Sequence, residues 1–155
     1  MKKIIAITFS CLILAVWTTS SLFAQDFRAD DIIGTWLNEE VTGQVEIFKS
    51  GTSYYGKIVW LKEPIDINTG KPRTDIENPE SSRHNDPLIG LVNLKGFAFD
   101  GDDEWEDGTI YDPKNGKTYS CYMKFEDASK KRLKIRGYIG VSLLGRTTLW
   151  TPVKK

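Results

Sequence analysis

Short segments rich in β-branched and aromatic residues, separated by turn signals, recur along most of this 155-residue chain. After Ala29, no stretch sustains the spacing of three and four between apolar residues that indicates an amphipathic helix. A single helical turn is predicted in RADDII, just before the first strand. We therefore predict an all-β domain of eight strands, at residues 34–40, 44–49, 52–61, 90–98, 104–111, 117–126, 131–138 and 145–152.

Most connections between these segments are short, which favours antiparallel pairing of each strand with the next. Asn115-Gly116 is the strongest hairpin signal, because both residues accept the positive φ angles of a tight primed turn. Eight such strands can close into a barrel whose interior holds packed side chains or one small ligand. The predicted fold is an eight-stranded antiparallel up-and-down β-barrel.

Residues 62–87 interrupt this pattern after the third strand. They contain few large apolar groups and four prolines, Pro64, Pro72, Pro79 and Pro87. A segment of this length without regular structure is often a lid or a binding loop. Because prolines restrict the backbone, we predict a long Pro-rich loop that lies over the domain as a semi-rigid arm.

The first residues have the pattern of a targeting segment. Lys2 and Lys3 precede an apolar run from Ile4 to Trp17, and the polar stretch that follows ends in SLFAQ. The apolar run is shorter than the roughly 20 residues that span a bilayer. We predict a signal peptide over residues 1–24, cleaved near Ala24, and export to the periplasm or outer envelope of a bacterium. The mature chain, 25–155, is then a single barrel domain without a transmembrane segment.

Charge and cysteine content exclude several classes of protein. Of the 21 basic residues, Lys2 and Lys3 fall in the predicted signal peptide, so the mature chain carries 19 basic against 21 acidic residues. Without a basic cluster, nucleic acid is a poor candidate partner. Cys121 is the only cysteine left after cleavage, so an intrachain disulfide is excluded, and its alternating apolar neighbours predict a buried thiol.

A glycine and a tryptophan open the first strand, and an arginine lies on the last. If the barrel closes, these strands are neighbours, so we predict that the Arg146 guanidinium stacks on the Trp36 indole. Gly34 would let the backbone approach closely where the chain enters the strand. A Gly-x-Trp followed by such an arginine resembles the lipocalin, or calycin, signature that seals one end of a barrel. We therefore predict structural closure by Gly34, Trp36 and Arg146.

A wider pattern runs through the segments IIGTWL, VEIFKSG, YYGKIVWLKEPID, GKPRTDIENP, PLIGL, LKGFAFDGDDEWEDGTIYDPKNGKTYS and KIRGYIGVSLLGRTTLW. Together they resemble the bacterial exported family known as domain of unknown function 2147, over about residues 30–152. The resemblance implies a lipocalin-like barrel in the cell envelope and supplies no reaction or catalytic residue. Analogy with lipocalins suggests that the barrel binds a small apolar or amphipathic molecule.

The residues suited to catalysis or metal binding have simpler interpretations. His84, the only histidine, lies in SSRHND, and adjacency to serines does not create the geometry of a nucleophilic site. The acidic run 100–104, with Glu106 and Asp107, lacks the spacing of a twelve-residue calcium loop and is expected to be a solvated turn. We predict no catalytic residues, no metal site and no cofactor.

Aromatic side chains are frequent in the mature chain, where they either fill the barrel or line a pocket. Filling is the commoner use in a small barrel, but aromatic rings with polar tips also suit ligand sites. The candidate ligand-binding residues are Tyr55, Trp60, Trp105 and Tyr111.

Alternation predicts the inner face of one strand and leaves another open. On the seventh strand, Leu133, Ile135 and Ile139 share a face and are expected to point inward. On the third strand, both alternating sets contain large side chains, so neither face is favoured.

These observations favour an exported, non-enzymatic barrel that binds a small apolar or amphipathic ligand, with the loop 62–87 partly covering its mouth. The alternative is a module that docks an envelope protein through the loop and exposed aromatic residues. A hydrolytic enzyme of unknown substrate ranks third. A ligand-binding protein needs an interior cavity, whereas a docking module is expected to have a filled barrel and an apolar surface patch.

Overall fold

Eight antiparallel strands close into a barrel in which each strand pairs with the next and the first pairs with the last. The computed structural model describes residues 27–154, so the predicted signal peptide, residues 1–24, lies outside the described residues. A short 3-10 helix, Ala29–Ile32, precedes the barrel, as expected. The strands are β1 (Gly34–Leu37), β2 (Gly43–Ser50), β3 (Ser53–Leu61), β4 (Val92–Phe99), β5 (Glu104–Asp112), β6 (Lys117–Phe125), β7 (Leu133–Tyr138) and β8 (Gly145–Pro152).

The predicted eight-stranded antiparallel barrel is thus confirmed. β1 ends three residues earlier than predicted, because the Asn38 side chain starts a turn by accepting hydrogen bonds from the backbone N–H groups of Thr42 and Gly43. Among the described residues, no helix is long and apolar enough to cross a membrane.

The alternation of apolar side chains predicted the inner face of β7, and a register shift explains why it left the inner face of β3 open. Leu133 and Ile135 are buried as predicted, whereas Ile139 lies beyond the end of β7 and is largely exposed. On β3 the register with β2 shifts next to Ile58, which indicates a β-bulge. Because a bulge moves later side chains to the other face, Tyr54 and Ile58 point inward while Trp60 points outward.

The 3-10 helix closes one end of the barrel. The Trp36 Nε1 group donates a hydrogen bond of 2.9 Å to the Ile32 carbonyl, and Trp105 Nε1 donates one of 2.9 Å to the Ala29 carbonyl. The Phe125 ring packs against both indoles, with centroid separations of 5.9 and 5.6 Å. We call this the closed end.

The predicted contact between Trp36 and Arg146 is wrong. Trp36 pairs with Pro152 at the end of β8, and Arg146 lies six residues earlier on that strand, about 20 Å away along it. The Arg146 side chain is 83% exposed and forms an ion pair with Glu40. Closure of the barrel makes β1 and β8 neighbours, but their register decides which residues meet.

The predicted role of Gly34 is also wrong. Within residues 27–154, and apart from its two chain neighbours, no atom would lie within 4 Å of a Cβ atom at this position, so the glycine does not permit a close approach. Its φ of +149° is instead a backbone conformation that other residues rarely adopt.

At two buried glycines, the absence of a side chain allows core residues to fill the lumen next to the closed end. A Cβ on Gly56 would lie 2.7 Å from Leu94 Cδ1, and one on Gly108 would lie 2.4 Å from the Phe97 ring. Leu94 and Phe97 are fully buried in the core. Their side chains therefore occupy space that a larger residue at either glycine would take.

The turn between β5 and β6 differs from its prediction in type, not in place. Four residues, 113–116, separate the strands, and the backbone N–H groups of Asn115 and Gly116 both donate to the Asp112 carbonyl. Gly116 has a φ of +67°, whereas Asn115 has no positive φ. The hairpin is present, but a two-residue primed turn is not.

The loop 62–87 packs against this hairpin. The Tyr111 hydroxyl donates to the buried Asp75 carboxylate, and a Cβ atom on Gly116 would lie 1.9 Å from the Glu77 carbonyl oxygen. Two isolated β-bridges, between Ile65 and Pro72 and between Thr74 and Pro87, organise the loop internally.

Candidate functional site

A cavity of about 880 Å³ opens at the end of the barrel away from the closed end. This volume is typical of sites that bind small molecules. Its floor consists of buried side chains from four strands: Val45, Ile58, Ile135 and Trp150. Its wall includes Leu61, Asn93, Ile110 and Tyr111, and its rim includes Glu40, Lys114, Ile139, Leu143, Leu144 and Arg146.

Two buried polar atoms at the cavity lack a protein partner. Within residues 27–154, Asn93 Oδ1 and Trp150 Nε1 have no hydrogen-bond partner. Asn93 is 7% exposed and Trp150 is 4% exposed. An unpaired buried polar group costs about 1–3 kcal/mol, so such groups are rare in folded proteins unless a ligand or water pairs with them.

An ion-pair cluster crosses the rim. Glu40 bonds to Lys114 Nζ at 3.1 Å through one carboxylate oxygen and to Arg146 Nη2 at 3.0 Å through the other. The hydrogen bond from Lys114, its charge, and then the hydrogen bond from Arg146 lower the pKa of Glu40 below its ordinary value. These contacts join the β1–β2 connection, the β5–β6 turn and β8 around the mouth of the cavity.

The connection between β7 and β8 forms an apolar lip beside that mouth. We define the apolar lip as Ile139, Val141, Leu143 and Leu144, all of which are largely exposed. Arg136 holds the connection by donating to the carbonyls of Ser142, at 2.7 Å, and Leu143, at 3.2 Å. An exposed group of apolar side chains commonly marks a site of interaction.

Only one of the four predicted ligand residues reaches the cavity. Tyr111 lines the wall, and burial, followed by its hydrogen bond to Asp75, raises the pKa of the hydroxyl to about 12. Trp105 is fully buried at the closed end, and Trp60 is 38% exposed on the outer face. Tyr55 lies outside as well, with its ring 5.9 Å from that of Phe48.

Contrary to the prediction that it partly covers the mouth, the loop 62–87 does not line the cavity. The described residues that line the cavity belong to the barrel strands and to connections other than this loop. The contribution of the loop is indirect, through the bond between Asp75 and Tyr111.

Sequence reasoning missed most of this site. The apolar lip had a visible signal, since IGVSLL is apolar where a connection between strands is usually polar. Asn93 had no such signal, because its burial depends on the barrel as a whole.

The residues considered for catalysis have local partners. His84 Nε2 lies 2.8 Å from the Asn78 carbonyl oxygen, and Asp100 Oδ1 accepts hydrogen bonds from the backbone N–H groups of Asp102 and Glu104. Cys121 is buried as predicted, and burial raises the pKa of its thiol to about 12, which disfavours the nucleophilic thiolate. Within residues 27–154, no three His, Cys, Asp or Glu side chains are grouped so that they could hold a metal ion.

Comparison with known proteins supports the same architecture. A family model described as "Uncharacterized protein conserved in bacteria (DUF2147)" matches residues 34–152. The structure is similar to that of protein HP1028 from Helicobacter pylori, described as belonging to the lipocalin family, with a TM-score of 0.66 and 20% identity. The match covers 79% of this chain and 83% of that chain, and at this identity it shows the fold alone. None of the curated proteins matches the chain.

Proposed function

The chain belongs to the DUF2147 family of bacterial proteins, and we propose that its barrel binds a small apolar or amphipathic molecule in the cavity. The observation that carries the proposal is the combination of a 880 Å³ volume with an apolar floor. Burying apolar ligand surface there would contribute about 25 cal/mol for each Å² removed from water. The likeness to a lipocalin-family protein supports this proposal by analogy of fold.

The proposal includes a location. The segment 1–24 has the sequence pattern of a signal peptide, which supports export, and a binding protein in the periplasm or outer envelope would meet amphipathic molecules there.

Titration with the uncharged amphipathic fluorophore N-phenyl-1-naphthylamine tests the proposal. Thr148→Phe adds a ring inside the cavity, whereas Thr151→Phe adds the same ring at an exposed position of β8 outside it. We expect Thr148→Phe to weaken probe binding by about tenfold or more, since the ring removes volume from the site, and Thr151→Phe to leave it unchanged. Absence of saturable binding by the unaltered protein, or equal binding by all three proteins, would contradict the proposal.

The apolar lip favours a second candidate, a module that docks an envelope protein. In that case replacing Leu143 and Leu144 together by serine would abolish capture of one specific envelope protein and leave probe binding intact. If the lip serves ligand entry instead, the same double variant would alter probe association and no protein partner would depend on it.

A further inference from the structure

The apolar lip leaves most of its hydrophobic surface in water. Leu143 is 86% exposed and Leu144 is 75% exposed, and Ile139 and Val141 are also largely exposed. The four side chains belong to one connection between paired strands, since Tyr138 at the end of β7 pairs with Gly145 at the start of β8. The lip is therefore the tip of a hairpin that projects beside the mouth of the cavity.

A fifth exposed apolar side chain lies at the same end of the barrel. Val41, in the connection between β1 and β2, is largely exposed and has a φ of 54°, a conformation that β-branched residues rarely adopt. Its neighbour Glu40 bonds to Arg146, which follows the lip by two residues. The turn thus keeps an exposed valine near the lip at a position where glycine or asparagine would fit with less strain.

The strands that carry the lip are basic. The stretch 128–155 contains eight basic residues and no acidic one. Arg146 lies just after the lip, and Arg136 donates to two backbone carbonyls of the lip connection and to the Thr147 hydroxyl. Because these acceptors are uncharged, they do not neutralise the guanidinium of Arg136. Cations therefore border the apolar tip.

The acidic side chains of the rim lie on other connections and are already bonded. Glu40 is shared by Lys114 and Arg146, and Glu39 accepts a hydrogen bond from a backbone N–H of β8. Asp112, at the end of β5, accepts hydrogen bonds from the turn that follows it. The side of the mouth that carries the lip consequently keeps its basic character.

The shape and charge of this surface fit a lipid bilayer better than a protein. A protein interface places its anchors in closely fitting pockets, whereas a bilayer accepts a projecting apolar tip, and anionic headgroups attract adjacent Lys and Arg side chains. Tyr138, at the base of the lip, packs near Tyr122 with ring centroids 6.5 Å apart. Tyrosine rings are typical of the level of the headgroups, where one end of the side chain is apolar and the other is wet.

We propose that the apolar lip inserts into the surface of an anionic lipid bilayer, with Arg136 and Arg146 at the phosphate groups and the mouth of the cavity toward the membrane. Leu143 and Leu144 also line the cavity, so insertion would join the cavity to the apolar part of the bilayer. This inference goes beyond the proposed function and does not depend on it, because the lip can insert whether or not the cavity holds a ligand.

Co-sedimentation with vesicles tests the inference. The protein is purified in its natural form and mixed with vesicles of phosphatidylcholine, either alone or together with phosphatidylglycerol. We expect the anionic vesicles to bind it at least about tenfold more tightly, and this preference to decrease between about 0.1 and 0.5 M salt, because salt screens exposed charges.

Paired variants identify the surface that binds. Replacing Leu143 and Leu144 together by serine is expected to weaken binding to anionic vesicles about tenfold or more, since it removes the apolar surface that insertion buries. Ile33→Ser is the matched control, because Ile33 is an exposed apolar residue beside the closed end, and it should leave binding unchanged. Both sets of residues are exposed, so all variants should keep the Tm of the unaltered protein.

The contribution of charge is tested in the same assay. Arg146→Gln is expected to weaken binding to anionic vesicles about fivefold, the amount expected for one cation at an anionic surface. Lys131→Gln is the control, since Lys131 lies before β7, about 20 Å from the lip along that strand and beyond the range of screened charges. It should change binding by less than about twofold.

A fluorescent label reports insertion itself. A nitrobenzoxadiazole group on Val141→Cys should brighten and shift to shorter wavelength when anionic vesicles are added, whereas the same group on Ala128→Cys, in the connection between β6 and β7, should not. Both proteins also carry Cys11→Ser, and Cys121 is buried, so only the new thiol is labelled. This measurement decides the question even if the double serine variant is unstable.

Each outcome supports or overturns the inference. Failure of the unaltered protein to bind anionic vesicles, or equal binding by the double serine variant, would overturn it. An unchanged label at residue 141 despite vesicle binding would also overturn it, because adsorption by charge alone needs no insertion. Capture of one specific envelope protein through the lip, without vesicle binding, would assign the lip to a protein instead. Failure of the fluorophore N-phenyl-1-naphthylamine to bind in the cavity, with vesicle binding intact, would overturn the proposed function and leave this inference supported.

Discussion

The Tyr111 hydroxyl donates a hydrogen bond of 2.7 Å to the carboxylate of Asp75, a residue with no exposed surface. Asn78 donates to the second oxygen of the same carboxylate at 2.6 Å. Tyr111 also lines the cavity, so this bond connects the long loop 62–87 to the wall of the candidate site. The loop thus supports a residue of the site without lining it.

Tyr111→Phe is expected to destabilise the protein by about 1–3 kcal/mol, because it leaves a buried carboxylate with one donor fewer. Chemical denaturation measures the change, and limited proteolysis should show faster cleavage within 62–87. Tyr119→Phe is the control, since among the described residues 27–154 its hydroxyl only accepts a hydrogen bond from the exposed side chain of Asn115. Equal stability of the two variants would contradict a supporting role for the Asp75 contact.

Trp36→Phe and Arg146→Ala should have unequal and independent effects. The first leaves the buried Ile32 carbonyl without its donor and is expected to cost about 1–3 kcal/mol. The second removes an exposed ion pair worth about 1 kcal/mol or less. In the double variant the two losses should add within about 0.5 kcal/mol, as for residues far apart. A coupling energy above about 1 kcal/mol would show a direct contact that the structure lacks.

The carboxylate of Asp30 should make part of the stability sensitive to acid. Hydrogen bonds from the Tyr54 hydroxyl, at 2.5 Å, and from Lys49, at 2.9 Å, lower the pKa of Asp30 below its ordinary value of 3.8, the Tyr54 bond most strongly. Since the folded pKa is the lower one, this stabilisation is present above pH 3.8 and is lost as the pH falls through the folded pKa.

Asp30→Asn should therefore lose less stability than the unaltered protein when denaturation is compared at about pH 6 and pH 2.5. Tyr54→Phe, which removes the strongest cause of the shift, should fall between the two. Parallel loss of stability in all three proteins would show that Asp30 does not contribute in this way.

Gly56→Ala is expected to destabilise the barrel by about 1–3 kcal/mol, because its methyl group would overlap Leu94 and Val45 in a filled part of the lumen. Gly43→Ala is the matched control at a cavity-lining position, where the added carbon would have its nearest neighbours at 3.7 Å. Thermal unfolding of both variants tests whether the lumen is filled by side chains at Gly56 and open at Gly43. A larger loss for Gly43→Ala would contradict a packed lumen around Gly56.

Particular residues show what could be predicted from the sequence. Inward positions two apart, such as Val45 with Ile47 and Leu133 with Ile135, are visible in one strand at a time, and together with short connections they predict a closed antiparallel barrel. The contact of Trp36 with Arg146 was wrong because it required the register between β1 and β8, which depends on the tilt and stagger of all the strands.

The candidate site depends on residues that are distant in the sequence. Its floor combines Val45, Ile58, Ile135 and Trp150, and no local pattern brings four strands to one depth. Asn93 is surrounded in sequence by residues typical of any strand, and only the closed barrel buries its side chain, whose Oδ1 has no hydrogen-bond partner within residues 27–154. All four candidate ligand residues were chosen for their side-chain chemistry. Chemistry does not determine position in the barrel, so Tyr111 lines the cavity while Tyr55, Trp60 and Trp105 lie elsewhere.

Native mass spectrometry of the protein, purified gently from its own cell envelope, tests ligand binding most directly. We predict that the protein carries a reproducible small molecule, released on denaturation, and that Thr148→Phe carries much less of it while Thr151→Phe carries as much as the unaltered protein. Protein that is consistently empty, or that instead copurifies with one protein partner, would contradict the account.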